Sequence, residues 1–155
     1  MRRMMKGEKK TVRKLAAQIF FLLFCFIILP ATLYLIGRSY FTKQRIYELN
    51  WELSLPDNMK CLYDSHTPPA FHGEGIRHTI FRLEPEQMTI QMNAGRNRDT
   101  EAFCTAICDE LETDANDLPD FEERYGWIKY KKQQDTLIIV YFPHLKQLHF
   151  FQEIF

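Results

Sequence analysis

The side chains best equipped for chemistry crowd around Phe71-His72-Gly73-Glu74-Gly75, with His66 before this string and His78 after it. Imidazole and carboxylate are ligands that a borderline cation such as zinc accepts, which makes His66, His72, Glu74 and His78 the candidate ligand-binding residues. Their spacing matches no named zinc motif, so no metal is assigned and no catalytic residue is named. Gly73 and Gly75 permit positive φ or close backbone approach, and mark a structural turn. In the simpler reading Phe71 plugs a core while His72 and Glu74 fix the loop by hydrogen bonds. In an extended strand, His78 would point away from whatever the loop surrounds.

Other constellations carry less. Gly73-x-Gly75 has no following Gly-Lys-Ser/Thr and opens a strand, so it is not a phosphate loop, and no nucleotide or other cofactor is expected. Glu110, Glu112, Asp114, Asp117, Asp120, Glu122 and Glu123 lack the Asp-x-Asp-x-Asp-Gly order of a calcium loop and read as a solvated surface. Neither Ser54 nor Ser65 sits in a nucleophile elbow.

These residues must be positioned by the elements around them. The chain holds 20 basic and 20 acidic side chains, and that balance hides an asymmetry. Residues 1–14 carry seven bases against one acid, a net of +6, while 37–155 carry 13 bases and 19 acids, a net of −6. Between them Leu15 to Ile36 is 22 residues without a charge, 14 of them Leu, Ile or Phe. As a helix it is roughly 33 Å long at 1.5 Å per residue, enough for a hydrocarbon core of about 30 Å. Its Leu, Ile and Phe side chains favour insertion by roughly 4–8 kcal/mol, an upper bound since many sit off-centre. Pro30 is the expected site of a kink. The stretch is longer than a signal peptide's apolar region and no small-x-small cleavage site follows, so a retained transmembrane helix over 15–36 is expected.

The flanks give orientation. Seven bases precede the span and Arg38, Lys43 and Arg45 follow it, which predicts a basic cytoplasmic tail at 1–14 and an extracytoplasmic C-terminal domain in the cell membrane of a single-pass protein. The bilayer is then one partner, through residues 15–36. Nucleic acid is not expected.

Gly37 to about Ser54 is read as a helical juxtamembrane stalk, and 55–155 as one extracytoplasmic domain with a single core. Strands are predicted over 59–63, 75–83, 126–131, 136–142 and 147–154, with 64–69 and 93–98 as loops and 86–92 ambiguous. Asp99 or Thr100 is the expected N-cap of a helix to about Glu112, with Phe103, Ala106, Ile107 and Leu111 as its core face and Cys104 and Cys108 at the margin. Leu137 to Phe142 is apolar throughout, as a central strand covered on both faces should be. The predicted class is therefore α+β: a transmembrane helix, then an antiparallel sheet with one or two packed helices. Of Cys61, Cys104 and Cys108 at most one pair can bridge; Cys104 with Cys108 is poor geometry on a helix, and the simpler reading is small buried residues.

Phe71-His72-Gly73-Glu74-Gly75, set between the Lys60-Cys61-Leu62-Tyr63 and Arg77-His78-Thr79-Ile80-Phe81-Arg82-Leu83 strands, resembles small membrane-anchored or lipoprotein domains of Firmicutes that often carry Phe-His-Gly-Asp-Gly there. Tyr125-Gly126-Trp127 and the strands around Thr136–Tyr141 and Leu148–Phe151 look like that uncharacterised family's closing hairpin. The resemblance covers roughly 55–155; it departs at Glu74, where Asp is usual, and over 85–118. It implies a bacterial envelope domain and supplies no mechanism. The functional expectation is a non-enzymatic domain that binds an envelope protein or small ligand, with two alternatives: a metal-binding or metal-dependent enzyme centred on His72 and Glu74, or a structural subunit of a membrane complex.

Overall fold

The computed structural model describes residues 14–15, 18–40, 42–57, 59–68, 70, 74–83 and 90–155. The chain divides into two units, Met1–Arg45 and Ile46–Phe155.

In the first unit Gln18–Gly37 is a helix of 20 residues with mean hydropathy 2.7 and none of it buried, long and apolar enough to cross a membrane. It is not a uniform α-helix. Phe24–Ile28 is a π turn, in which the Leu29 N–H bonds the Phe24 carbonyl, and α1 (Leu29–Tyr40) follows it. Pro30 supplies the cause, since it has no N–H and its ring crowds the carbonyl four residues back; widening the preceding turn relieves that crowding. Thr32 Oγ1, 3.0 Å from the Ile28 carbonyl and 2.8 Å from that of Leu29, offers its proton to this disturbed stretch.

The second unit begins within α2 (Lys43–Trp51), a helix in the range expected as a stalk; its Tyr47 and Trp51, four residues apart on one face, are buried. Among the described residues six strands follow: β1 (Lys60–His66), β2 (Gly75–Arg82), β3 (Asn93–Ala94), β4 (Gly126–Lys132), β5 (Asp135–Phe142) and β6 (Gln147–Ile154). They form one antiparallel sheet in the order β1-β2-β6-β5-β4-β3. The last strand thus lies inside the sheet, joining the β1–β2 hairpin to the β4–β5–β6 meander. The class is α+β, and β5 is central and covered on both faces, as its unbroken apolar run requires.

Alternation along the strands sorts the core into two layers. On one face Phe81, Leu83, Leu137, Ile139, Leu148 and Phe150 pack with Tyr47, Trp51 and Leu55. On the other Ile76, Ile138, Val140, Phe142 and Phe151 pack with α3 (Arg98–Glu110) through Cys104, Ile107 and Cys108.

Several local expectations are corrected. Asp64-Ser65-His66 is not a loop but the end of β1, paired with Thr79, His78 and Arg77 of β2; cross-strand partners outweigh the weak strand propensity of polar residues. A β-bulge interrupts the β1–β2 register between Cys61 and Tyr63. Asn93 and Ala94, read as loop, make two pairs with β4. The N-cap of α3 is Asn97, whose Oδ1 accepts from the Thr100 N–H at 2.9 Å. The buried stripe of α3 is Thr100, Cys104, Ile107 and Cys108, whereas Ala106 is exposed. Both cysteines are therefore core residues, in keeping with the strong tendency of thiols to be buried. No disulfide joins Cys25, Cys61, Cys104 or Cys108. The end of α3 is a Schellman turn made without glycine: the Thr113 N–H bonds the Cys108 carbonyl at 2.9 Å, the Glu112 N–H bonds that of Asp109 at 3.2 Å, and Glu112 takes φ 50°.

Candidate functional site

Pairing of β1 with β2 places Asp64 opposite Thr79 and His66 opposite Arg77, all on the sheet face that also receives α2. Thr79 Oγ1 donates to Asp64 Oδ1 at 2.7 Å, and Tyr47 Oη lies 2.9 Å from the same Thr79 oxygen. Since that hydroxyl has one proton and gives it to Asp64, Tyr47 is the donor in the second bond. Burial pushes the Tyr47 phenol well above its usual pKa, so it remains a donor. The Asp64 carboxylate, with only 10 % of its side chain exposed, is thus fixed from behind and stands 3.8 Å from Arg77 Nε and 3.9 Å from His66 Nδ1.

His66 and Arg77 are far more open than the carboxylate between them, at 48 % and 32 % side-chain exposure. They line a cleft of about 130 Å³ with Asn50, Thr67, Glu74 and Gln152. Its wall depends on Gly75. The Thr67 hydroxyl accepts from the Ile76 N–H at 3.1 Å, the Thr67 N–H bonds the Ile76 carbonyl at 3.1 Å, and a Cβ on Gly75 (φ 152°) would run into Thr67 Oγ1. Gly75 is required because its φ and the closeness of Thr67 both exclude a side chain.

Of the candidate residues, His66 and Glu74 therefore share one cleft. His78 does not join them: it is buried on the opposite face, stacked on Phe151 with ring centroids 4.3 Å apart and next to Tyr63 at 5.2 Å. The alternation of β2 forces this, because Arg77 and Thr79 on either side of His78 face the cleft layer. Phe71, His72 and Gly73 lie outside the described residues. Among the described residues no group of three or more His, Cys, Asp or Glu is placed to hold a metal ion.

Comparison with protein-family models, curated proteins and solved structures finds no match. The chemistry of the cleft must be read from its own residues. Two basic side chains, one exposed carboxylate and two amides present donors and acceptors in a space well below the roughly 300–1,000 Å³ typical of drug-sized ligands. That suits a carboxylate, an amide or a single polar side chain, and is too small for a nucleotide or flavin.

Asp64, Arg77, Gln152 and Thr79 were not singled out by sequence. Gln152 had a readable signal, a polar residue directly after Phe150-Phe151 in a buried strand. Asp64 and Arg77 had none, since their meeting depends on strand register.

Proposed function

We propose that this chain is a single-pass protein of a bacterial cell envelope, with its N-terminus in the cytoplasm and a non-catalytic α+β binding domain on the outer side. In this reading the cleft grips a short polar group of a neighbouring envelope protein or small ligand. The observation that carries it is the Asp64-centred arrangement: a nearly sealed carboxylate, itself fixed by Thr79 and Tyr47, steadies two open basic side chains beside Glu74 and two amides. Preorganised donors of this kind favour binding because little side-chain freedom is lost on contact. Arg77 has five N–H donors, and with Asp64 Oδ1 3.8 Å from Nε it has donor capacity to spare for an acceptor in the cleft. The topology rests on the seven bases before the apolar helix and on that helix's length, which exceeds the apolar region of a cleaved leader. The resemblance to Firmicutes envelope domains points the same way.

Two measurements on the full-length chain in intact cells test this reading. Cys61 is exposed whereas Cys104 and Cys108 are buried, so a membrane-impermeant maleimide should label Cys61 without permeabilisation. Labelling only after permeabilisation, or a domain shed free of the membrane, overturns the topology. A photo-crosslinking residue at Glu74 should give one discrete adduct that disappears when Arg77→Ala is added, while the same residue at Asp117 gives none. An adduct indifferent to Arg77→Ala removes the cleft from the proposal.

A further inference from the structure

On the sheet face opposite the cleft, a chain of polar atoms runs through the core. Cys108 Sγ lies 4.0 Å from His78 Nδ1, His78 Nε2 lies 3.3 Å from His149 Nδ1, and His149 Nε2 lies 3.3 Å from Gln147 Oε1. One assignment of protons satisfies every link: Cys108 donates to His78, His78 to His149, and His149 to the Gln147 carbonyl oxygen. Both imidazoles are then neutral. A proton added to His149 forces His78 to move its own proton to Nδ1, facing Cys108 Sγ, and leaves a charged imidazole in the buried layer; a second proton would set two N–H groups head to head at 3.3 Å.

Among the described residues, the surroundings offer such a proton no counter-charge on this face. Beta-strand β1 presents Tyr63, β5 presents Val140 and Phe142, β6 presents Phe151, and α3 presents Cys108, while His144 meets the Phe142 ring edge-on at 6.2 Å. Among the described residues, Asp64 is the carboxylate that acts on His78, from the other face, and it already serves Thr79. Burial first, and then Asp64 in partial opposition, set the His78 pKa at about 4; burial first, and then the neighbouring His78, set that of His149 at about 3.

The two ends of α3 are held differently. At its N-terminus the Asn97 cap, the Tyr125 hydroxyl donating to Glu101 at 2.7 Å, and Arg96 paired with Glu101 at 3.1 Å and Glu122 at 3.3 Å form a polar clamp away from the histidines. The C-terminal turns meet the histidine chain through Cys108, with Ile107 in the apolar cluster beside it. We propose that Cys108, His78, His149 and Gln147 form an acid-operated latch, in which an added proton releases the C-terminal half of α3 from the sheet while its N-terminal clamp and the opposite core layer stay in place. The inference does not depend on the cleft.

The experiment uses the full chain in nanodiscs between pH 7.5 and 4. Thiols are labelled with 4,4′-dithiodipyridine, which reacts in acid, and each cysteine is read by peptide mass spectrometry, with exposed Cys61 as the internal reference. The Cys108-to-Cys61 labelling ratio should rise at least tenfold as the pH falls from 6.5 to 4. Over the same range Trp51 emission, read in a Trp127→Phe variant, should stay constant because Trp51 belongs to the other layer. A flat ratio overturns the latch, and so does a rise that coincides with a change in Trp51 emission, which is global unfolding. His78→Gln/His149→Gln should abolish the rise. If that variant does not fold, imidazole NMR titration of the native chain decides: both rings staying neutral until the ratio rises supports the latch, and titration near 6.5 without a rise overturns it.

Discussion

Tyr47 on α2 and Thr79 on β2 are joined by a 2.9 Å hydrogen bond in a layer closed to water, and this bond ties the helix to the carboxylate of the cleft. The two partners are not equivalent. Tyr47→Phe removes one neutral bond and should cost about 0.5–1.5 kcal/mol. Thr79→Val leaves the buried phenol without its acceptor and takes one donor from Asp64, and should cost a further ~1–3 kcal/mol. Urea unfolding followed by tryptophan fluorescence compares them; equal costs would contradict the direction assigned to the bonds.

Stability should depend on pH through His78 and His149. Their native pKa values, about 4 and about 3, lie below the roughly 6.5 of an unfolded imidazole, so the unfolded chain binds more protons in acid. The contribution is therefore fully present above pH ~6.5 and lost as the pH falls toward the native values, by on the order of a few kcal/mol. Denaturation midpoints measured from pH 7.5 to 4 should fall in the wild type and fall less in His149→Gln.

Phe150 packs against Tyr47 at 4.7 Å and edge-on against Phe81 at 5.2 Å, fully buried. Phe150→Ala should cost about 3–5 kcal/mol, a large share of a typical domain's stability. Circular dichroism at rising urea concentrations should show the midpoint displaced accordingly, with the cleft variant Arg77→Ala barely moved.

The two ends of α3 predict changes of opposite sign. Asn97→Ala removes the cap and should destabilise by roughly 0.5–2 kcal/mol. Glu112→Gly relieves a side chain held at φ 50° and should stabilise by up to ~1 kcal/mol. The same unfolding assay reads both, and a destabilising Glu112→Gly would show that the Glu112 side chain makes an interaction outweighing its strained backbone.

Much of the fold was legible because strand alternation is a strong signal: Leu137–Phe142 announced a central strand, and the bounds of β4 to β6 follow from it. Helix α3 was legible in place and largely in rotation. Ile107 is buried and Phe103 and Leu111 pack half-buried against the same cluster, whereas Ala106 is exposed and Cys104 and Cys108, expected at the margin, are buried, where small side chains let the helix approach the sheet. Within the candidate site, His66 and Glu74 were visible as unusual loop residues. Asp64 and Arg77 were not, because a register offset of one residue would have turned them away from each other. His149, in a run of aromatics, carried no mark of its partnership with His78, since that contact joins residues 71 positions apart.

The bulge in β1 has a consequence for molecules crowded side by side. A straight outer strand offers a neighbour a ruler of amide groups on which to build, and long flat margins are how sheets recruit one another into fibres. Here the rim at β1 is kinked between Cys61 and Tyr63 and the opposite rim at β3 is only two residues long. Among the described residues, the kinked β1 and the two-residue β3 are poor templates for a second copy, and the margin that stays open along β4 carries Lys129, Lys131 and Lys132, whose charges oppose such pairing.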